Sequence, residues 1–272
     1  MRKVTAKGAM IPSFATWNAA LARVTEALGS AGFTLALEDL LRQITSFQMM
    51  NGFLYTADGQ SFDLHNERIV ADRQTIVDHY LAGAYILDPF YDATRHPEGR
   101  RFIAIKQLAP DNFEQSEYYR RHYEATGITD EVGFLFYFPG GDIGVLSLCR
   151  VGDVPPFDAP SLHVLTETAP IVCALGERHA WPSPRLTARD DQTSRGTMAA
   201  ETVHPLLTKR EQEIVTLILK GHSTLSIAEV LSLSRDTVKV HRRKIYAKLK
   251  ISSQAELFRV FMLEHRMAPA LG

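Results

Sequence analysis

The 272-residue chain has little of what the specialised protein classes require. It holds two cysteines, Cys149 and Cys173, each inside an apolar run (VLSLCR and APIVCAL) and neither in a CxxC pair. That excludes a disulfide scaffold and reads as two reduced packing thiols in a cytoplasmic protein. No apolar stretch approaches the roughly 18 residues that span a bilayer, and MRKVTAKGAMIPSFATW lacks the apolar core of a signal peptide. There is no GxSxG, P-loop, GxGxxG or HExxH, and the ten histidines form no ligand pair with cysteine or with one another. Neither an enzyme nor a metal or organic cofactor is therefore expected. Repeats and low-complexity tracts are absent too. What remains is an ordinary globular composition, 45% hydrophobic and 22% charged, able to bury a sizeable core.

The near-zero net charge conceals an asymmetry. From His204 to Arg266 there are twelve Lys/Arg against six Asp/Glu, whereas the rest of the chain is acidic. Arg235–Lys250 alone carries seven basic residues and one acid. A dense basic block on one short element points to a polyanion, although a solvated helix face can look the same.

Prolines, a glycine and scattered Ser/Thr in AWPSPRLTARDDQTSRGTMAAETVHP mark a linker over 181–205, between a domain of residues 1–180 and a small one of residues 206–267. The first domain alternates element types. Helices are expected over Ser13–Leu28, Leu35–Met50, Asp72–Tyr85 and Asp111–Thr126, the last with i,i+4 pairs Glu117–Arg121 and Arg120–Glu124. NGFLYTADG and RFIAIKQL read as strands, and VGFLFYF and IGVLSLCR flank PGGD as a hairpin. A closing helix over Ala159–His179 should kink or split at Pro170. This order implies an α+β fold, an antiparallel sheet with flanking helices of the PAS- or GAF-like sensor kind, followed by an all-α four-helix domain.

The small domain is written in helix signals. Thr208 and Glu211 form a capping box, Gly221 is placed to end that helix, and Ser223 and Ser234 can cap the next two. At about 100° per residue, Val238, Ile245 and Leu249 form one buried stripe of the third helix. Lys239, Val240, Arg243, Ala247 and Lys250 face the other way. Cations with an exposed β-branched methyl near a helix N-terminus suit a helix that enters the major groove.

LTKREQEIVTLILKGHSTLSIAEVLSLSRDTVKVHRRKIYAKLKISSQAEL resembles the LuxR/FixJ-type helix-turn-helix domain almost throughout. The pattern residues are Leu207-Thr208, Arg210-Glu211, Gly221, Ser223, Ile227-Ala228, Leu231, Ser234, Thr237-Val238-Lys239, His241, Ile245 and Lys248-Leu249. Ser226 stands where that family commonly has Glu. The resemblance implies that Lys239, Val240 and Arg243 face bases, that Arg235, Thr237 and Lys250 contact phosphates, and that Lys244 makes an outer phosphate contact. It also implies a fourth helix over Ser253–Glu264, with a capping box from Ser253 to Glu256 and often a dimer contact. His241 falls beside the buried stripe, as a satisfied half-buried histidine or a DNA contact. DHYLAGAYILDPFYDA is similar to a segment of acyl-homoserine-lactone receptors through Tyr80, Tyr85, Asp88 and Pro89, which implies a small-molecule pocket touched by Tyr80, Tyr85 and Asp88. A helix-ending turn at Asp88-Pro89 is the alternative. The function implied is a sequence-specific transcriptional regulator, with an N-terminal domain that either binds an effector or serves as a dimerisation or partner-docking module. Its partners would be double-stranded DNA at an inverted repeat, a second copy of the chain, a small-molecule effector and RNA polymerase, without a membrane.

Overall fold

A computed structural model describes residues 12–66, 73–181 and 204–267. The chain divides into two compact units, one built from residues 1–72, 94–107 and 127–197 and the other from 73–93, 108–126 and 198–272. Except for Trp181, His204 and Pro205, the linker expected at 181–205 lies outside the described residues.

The first unit is a five-stranded antiparallel sheet carrying helices, the α+β arrangement expected. Its strands are β1 (Met49–Tyr55), β2 (Ser61–His65), β3 (Phe102–Ala104), β4 (Ile128–Tyr137) and β5 (Ile143–Val151), in the order β2-β1-β5-β4-β3. The β4–β5 hairpin turns where PGGD predicts: Gly140 and Gly141 take φ of 90° and 89°, and the Phe138 amide donates to the Asp142 carbonyl at 2.9 Å. Helix α1 (Phe14–Glu26) starts where the Ser13 hydroxyl accepts from the Thr16 amide.

Helix α2 (Phe33–Leu41) is shorter than Leu35–Met50. Met49 and Met50 instead open β1, pairing with Cys149 and Leu148, because a central strand position satisfies their backbone and buries both side chains. RFIAIKQL is likewise only half a strand. After Ala104 the chain turns helical over Ile105–Leu108, and the Gln107 side-chain oxygen accepts from the Ala104 amide at 3.0 Å. The helix from Asp72 to Tyr85 is interrupted at Gly83, whose φ of 130° ends one helical segment before a tight turn over Ala84–Leu87. Asp111–Thr126 is also divided, with Ser116 capping a fresh start at Glu117. Glu117 there receives both Arg121, at 3.3 Å, and Arg120, at 2.9 Å.

Helix α3 (Ala159–Arg178) runs unbroken through Pro170. The proline lies on the exposed face, while Leu165, Ala169, Val172 and Cys173 are buried, so packing outweighs one lost backbone bond. Its Gly176 lies against Phe136, with room for no Cβ: one built there would sit 2.6 Å from the ring. Phe33, Phe136 and Trp181 close this core, and the indole donates to the Gly176 carbonyl at 2.7 Å.

Candidate nucleic-acid interface

Among the described residues, the C-terminal stretch of the second unit forms α4 (Lys209–Lys220), α5 (Thr224–Val230), α6 (Arg235–Leu249) and α7 (Gln254–Met267). Each starts and stops as its sequence dictates. Thr208 and Glu211 make the reciprocal capping box, and Gly221 ends α4 in the left-handed region at φ 97°. Ser223 and Ser234 accept from the amides of Ser226 and Thr237. Ser253 and Glu256 exchange the two bonds of another capping box, at 3.2 Å each. Ser226 closes a 2.8 Å bond with the His222 ring, and Ser223 still caps α5.

Packing then fixes which face of α6 is free. Val238 and Ile245 are fully buried with Ile214, Val215, Ile218, Ile227 and Leu257. Arg235, Lys239, Arg243, Lys244 and Lys250 are exposed, Thr237 is half-buried, and Val240 presents 43% of its surface. The sequence-predicted residues are therefore all at least partly accessible, and Lys239, Val240 and Arg243 fall within about 100° of one another around α6. Lys239 leans to Asp236 at 3.3 Å, an exposed pair that a phosphate or base edge can replace cheaply. Lys248, by contrast, turns inward to the buried Glu211 carboxylate at 2.6 Å. Although burial opposes ionisation, the bonds from Lys248 and Thr208 outweigh it and hold that carboxyl below its usual range. This tie between α4 and α6 was not anticipated, because basic residues at a helix end give no sequence sign of which partner they take. His241 is half-buried as expected, yet its buried Nδ1 has no hydrogen-bond partner among the described residues.

Two short helices followed by a third with an exposed basic face form a helix-turn-helix. Residues 205–261 match the family described as bacterial regulatory proteins of the luxR family. A putative HTH-type transcriptional regulator of Aeromonas salmonicida is 30% identical over 193 residues, 68% of this chain and 97% of that protein. The chain belongs to the luxR family. The response regulator protein TodT of Pseudomonas putida is 44% identical over 54 residues, 20% of this chain and 24% of its own length. The VqsR LBD domain structure from Pseudomonas aeruginosa covers 60% of this chain and 95% of its own, at 23% identity and a TM-score of 0.53. The luxR-family protein is thus a transcriptional regulator with a DNA-binding helix-turn-helix, and among its described residues no helix is long and apolar enough to cross a membrane.

The regulator's Tyr80, Tyr85 and Asp88 do lie together. The Tyr80 hydroxyl donates to Asp88 Oδ2 at 2.6 Å, and the Tyr80 and Tyr85 rings are 6.3 Å apart. Asp88 is buried, and its Oδ1 accepts from the Phe90 amide at 2.8 Å at the start of a helical turn. Burial lifts its carboxyl to about 6, against the bonds from Tyr80, Phe90 and Tyr118 that favour the charged form. A cavity of about 660 Å³ adjoins this cluster. Tyr80 lines it, whereas Tyr85 and Asp88 are not among its walls. Tyr118 and His122, stacked with centroids 5.4 Å apart, line it as well, and so do Phe258 and Arg259 of α7. Nothing in the pattern of α7 marks Phe258 or Arg259 as cavity walls.

Proposed function

We propose that the regulator binds duplex DNA as a homodimer on an inverted-repeat operator. The carrying observation is the free face of α6: Lys239, Val240 and Arg243 read bases there, and Arg235, Thr237, Lys244 and Lys250 hold phosphates. One such helix reads only a few base pairs, so a second symmetric copy supplies useful specificity. In this reading residues 206–267 are the DNA-binding domain and residues 1–180 control it, without catalysis, in the cytoplasm, and RNA polymerase is the downstream partner. Arg243→Ala should weaken cognate binding by about 1–3 kcal/mol and relax one base position, whereas Lys250→Ala should weaken all duplexes and flatten the salt dependence. Parent-like binding of cognate and random duplexes by both variants would reject the assignment.

Control comes from a small molecule recognised near Tyr80, Tyr85 and Asp88. Supporting this are a buried carboxylate held by Tyr80, whose ring lines a cavity, and a fold like that of the VqsR LBD domain. A second reading makes the domain a dimerisation or partner-docking module, and it draws on the internal use of both Asp88 oxygens. Native mass spectrometry of the purified protein separates them by the presence of a co-purifying small molecule.

A further inference from the structure

Within the second unit, the cavity of about 660 Å³ has two walls of different origin. One consists of the helical turns carrying Tyr80, Ala84, Tyr118 and His122; the other is the outer face of α7 at Ala255, Phe258 and Met262. Alanines at 84, 125 and 255 leave the space between them. The volume suits a small organic molecule. The floor is aromatic: Tyr80, Tyr118 and His122 are buried, with Tyr80 and His122 centroids 5.4 Å apart. Asp88 occupies the Tyr80 hydroxyl, so the ring rather than a polar tip is available.

The charged lining is unbalanced. Arg120, Arg121 and Arg259 stand against one carboxylate, Glu256, whose oxygen already accepts from the Ser252 and Ser253 amides. Glu117 draws on Arg120 and Arg121 without lining the cavity, and one positive charge remains in excess. The Arg121 guanidinium lies 5.1 Å from the Phe258 ring centroid and donates its Nε–H to Glu117 at 3.3 Å, so an anion is met by its terminal nitrogens. His122 adds no charge near neutrality, because burial holds its imidazole down at about 4.

We propose that this cavity is the effector site, and that it takes an anion with an apolar, preferentially aromatic, body. The proposal rests on the effector-controlled reading above and supplies its ligand class. Aromatic walls take the body by stacking, and the guanidinium rim takes a carboxylate or sulfonate. Because α7 forms one wall, an occupant bridges the turns carrying Tyr80 and His122 to the last helix of the DNA-binding module.

The test uses the full chain with 1-anilinonaphthalene-8-sulfonate, read by fluorescence, and its uncharged counterpart N-phenyl-1-naphthylamine. The expected result is saturable one-to-one binding of the sulfonate, at least tenfold tighter than that of the neutral dye. Arg259→Ala should remove most of that preference while leaving the neutral dye unchanged. Ala125→Trp, at an exposed position, should abolish binding of both dyes at this site. Sulfonate binding that survives Ala125→Trp, or equal affinity for the two dyes, overturns the proposal. A co-purifying small molecule whose mass persists in Ala125→Trp overturns this site and leaves effector control standing. No saturable dye binding together with no co-purifying mass removes both.

Discussion

At the scale of single residues, two buried titratable groups in the second unit pull stability in opposite directions with pH. Burial keeps the His122 imidazole at about 4 instead of 6.5, so the folded state binds fewer protons than the unfolded one between those values. That contribution is present at neutral pH and is lost on acidification through this window. Asp88 is lifted from 3.8 to about 6, so it binds more protons when folded, and its contribution grows as pH falls from 6 toward 3.8. His122→Phe should therefore flatten the fall in thermal midpoint between pH 7 and pH 5, and Asp88→Asn should steepen it. Parent-like slopes in both variants would refute this pairing. Lys250 offers a separable test of its own role. It ends α6 in the left-handed region at φ 54°, where a Cβ is unfavourable by about 1 kcal/mol or more. Lys250→Gly should raise stability in chemical denaturation while weakening DNA binding, and a glycine variant that loses both would show that the side chain is structural.

Among the elements, α4 and α6 depend on one carboxylate. Glu211 accepts from the Thr208 amide at 2.8 Å, from its hydroxyl at 3.0 Å and from Lys248 at 2.6 Å, and it is buried. Thr208→Ala removes one cap and should lower stability by about 1 kcal/mol. Glu211→Ala also strands a capping amide and a partly buried ammonium, so urea denaturation should give a loss at least twice as large. Equal losses would mean that Lys248 contributes nothing. On the sheet side, Gly176→Ala drives a methyl into Phe136 within a filled core. A loss of about 1–3 kcal/mol is expected from the same measurement.

On the scale of the molecule, the second unit gathers segments distant in sequence. Lys220 Nζ meets Asp92 at 2.6 Å, the Ser223 amide donates to Asp111 at 2.9 Å, and the Asn112 amide donates to the Gly221 carbonyl at 2.9 Å. Gly221 is held by more than its left-handed φ, since an added Cβ would lie 2.7 Å from the Phe113 backbone. Lys220 is largely buried, so Asp92→Ala leaves a cation without its partner. Amide exchange across 217–223 should then quicken, with the midpoint lowered by about 1–3 kcal/mol equivalent. Unchanged exchange there would mean that the contacts from Asp92, Asp111 and Asn112 do not hold this turn of the helix-turn-helix.

The helix-turn-helix was legible because its information is local. Capping residues, a glycine at a left-handed C-terminus and a 3.6-residue apolar period act within one turn of the chain, and α4, α5 and α6 follow them closely. The α+β plan and the β4–β5 hairpin were legible for the same reason, through alternation and a Gly-Gly turn. What only tertiary structure decided lies where partners are distant. Met49 and Met50 fit a helical pattern until β5 offers them a ladder, and Pro170 should break α3 until the sheet beneath holds it. Lys248 carries no sequence sign of a partner until Glu211 takes it. The cavity is the extreme case: Tyr80, Tyr118 and Arg259 are spread over some 180 residues, and no periodicity records which separate helical faces will meet. Local order follows from backbone geometry and neighbouring side chains, whereas a site between elements exists only once burial has chosen which faces pack.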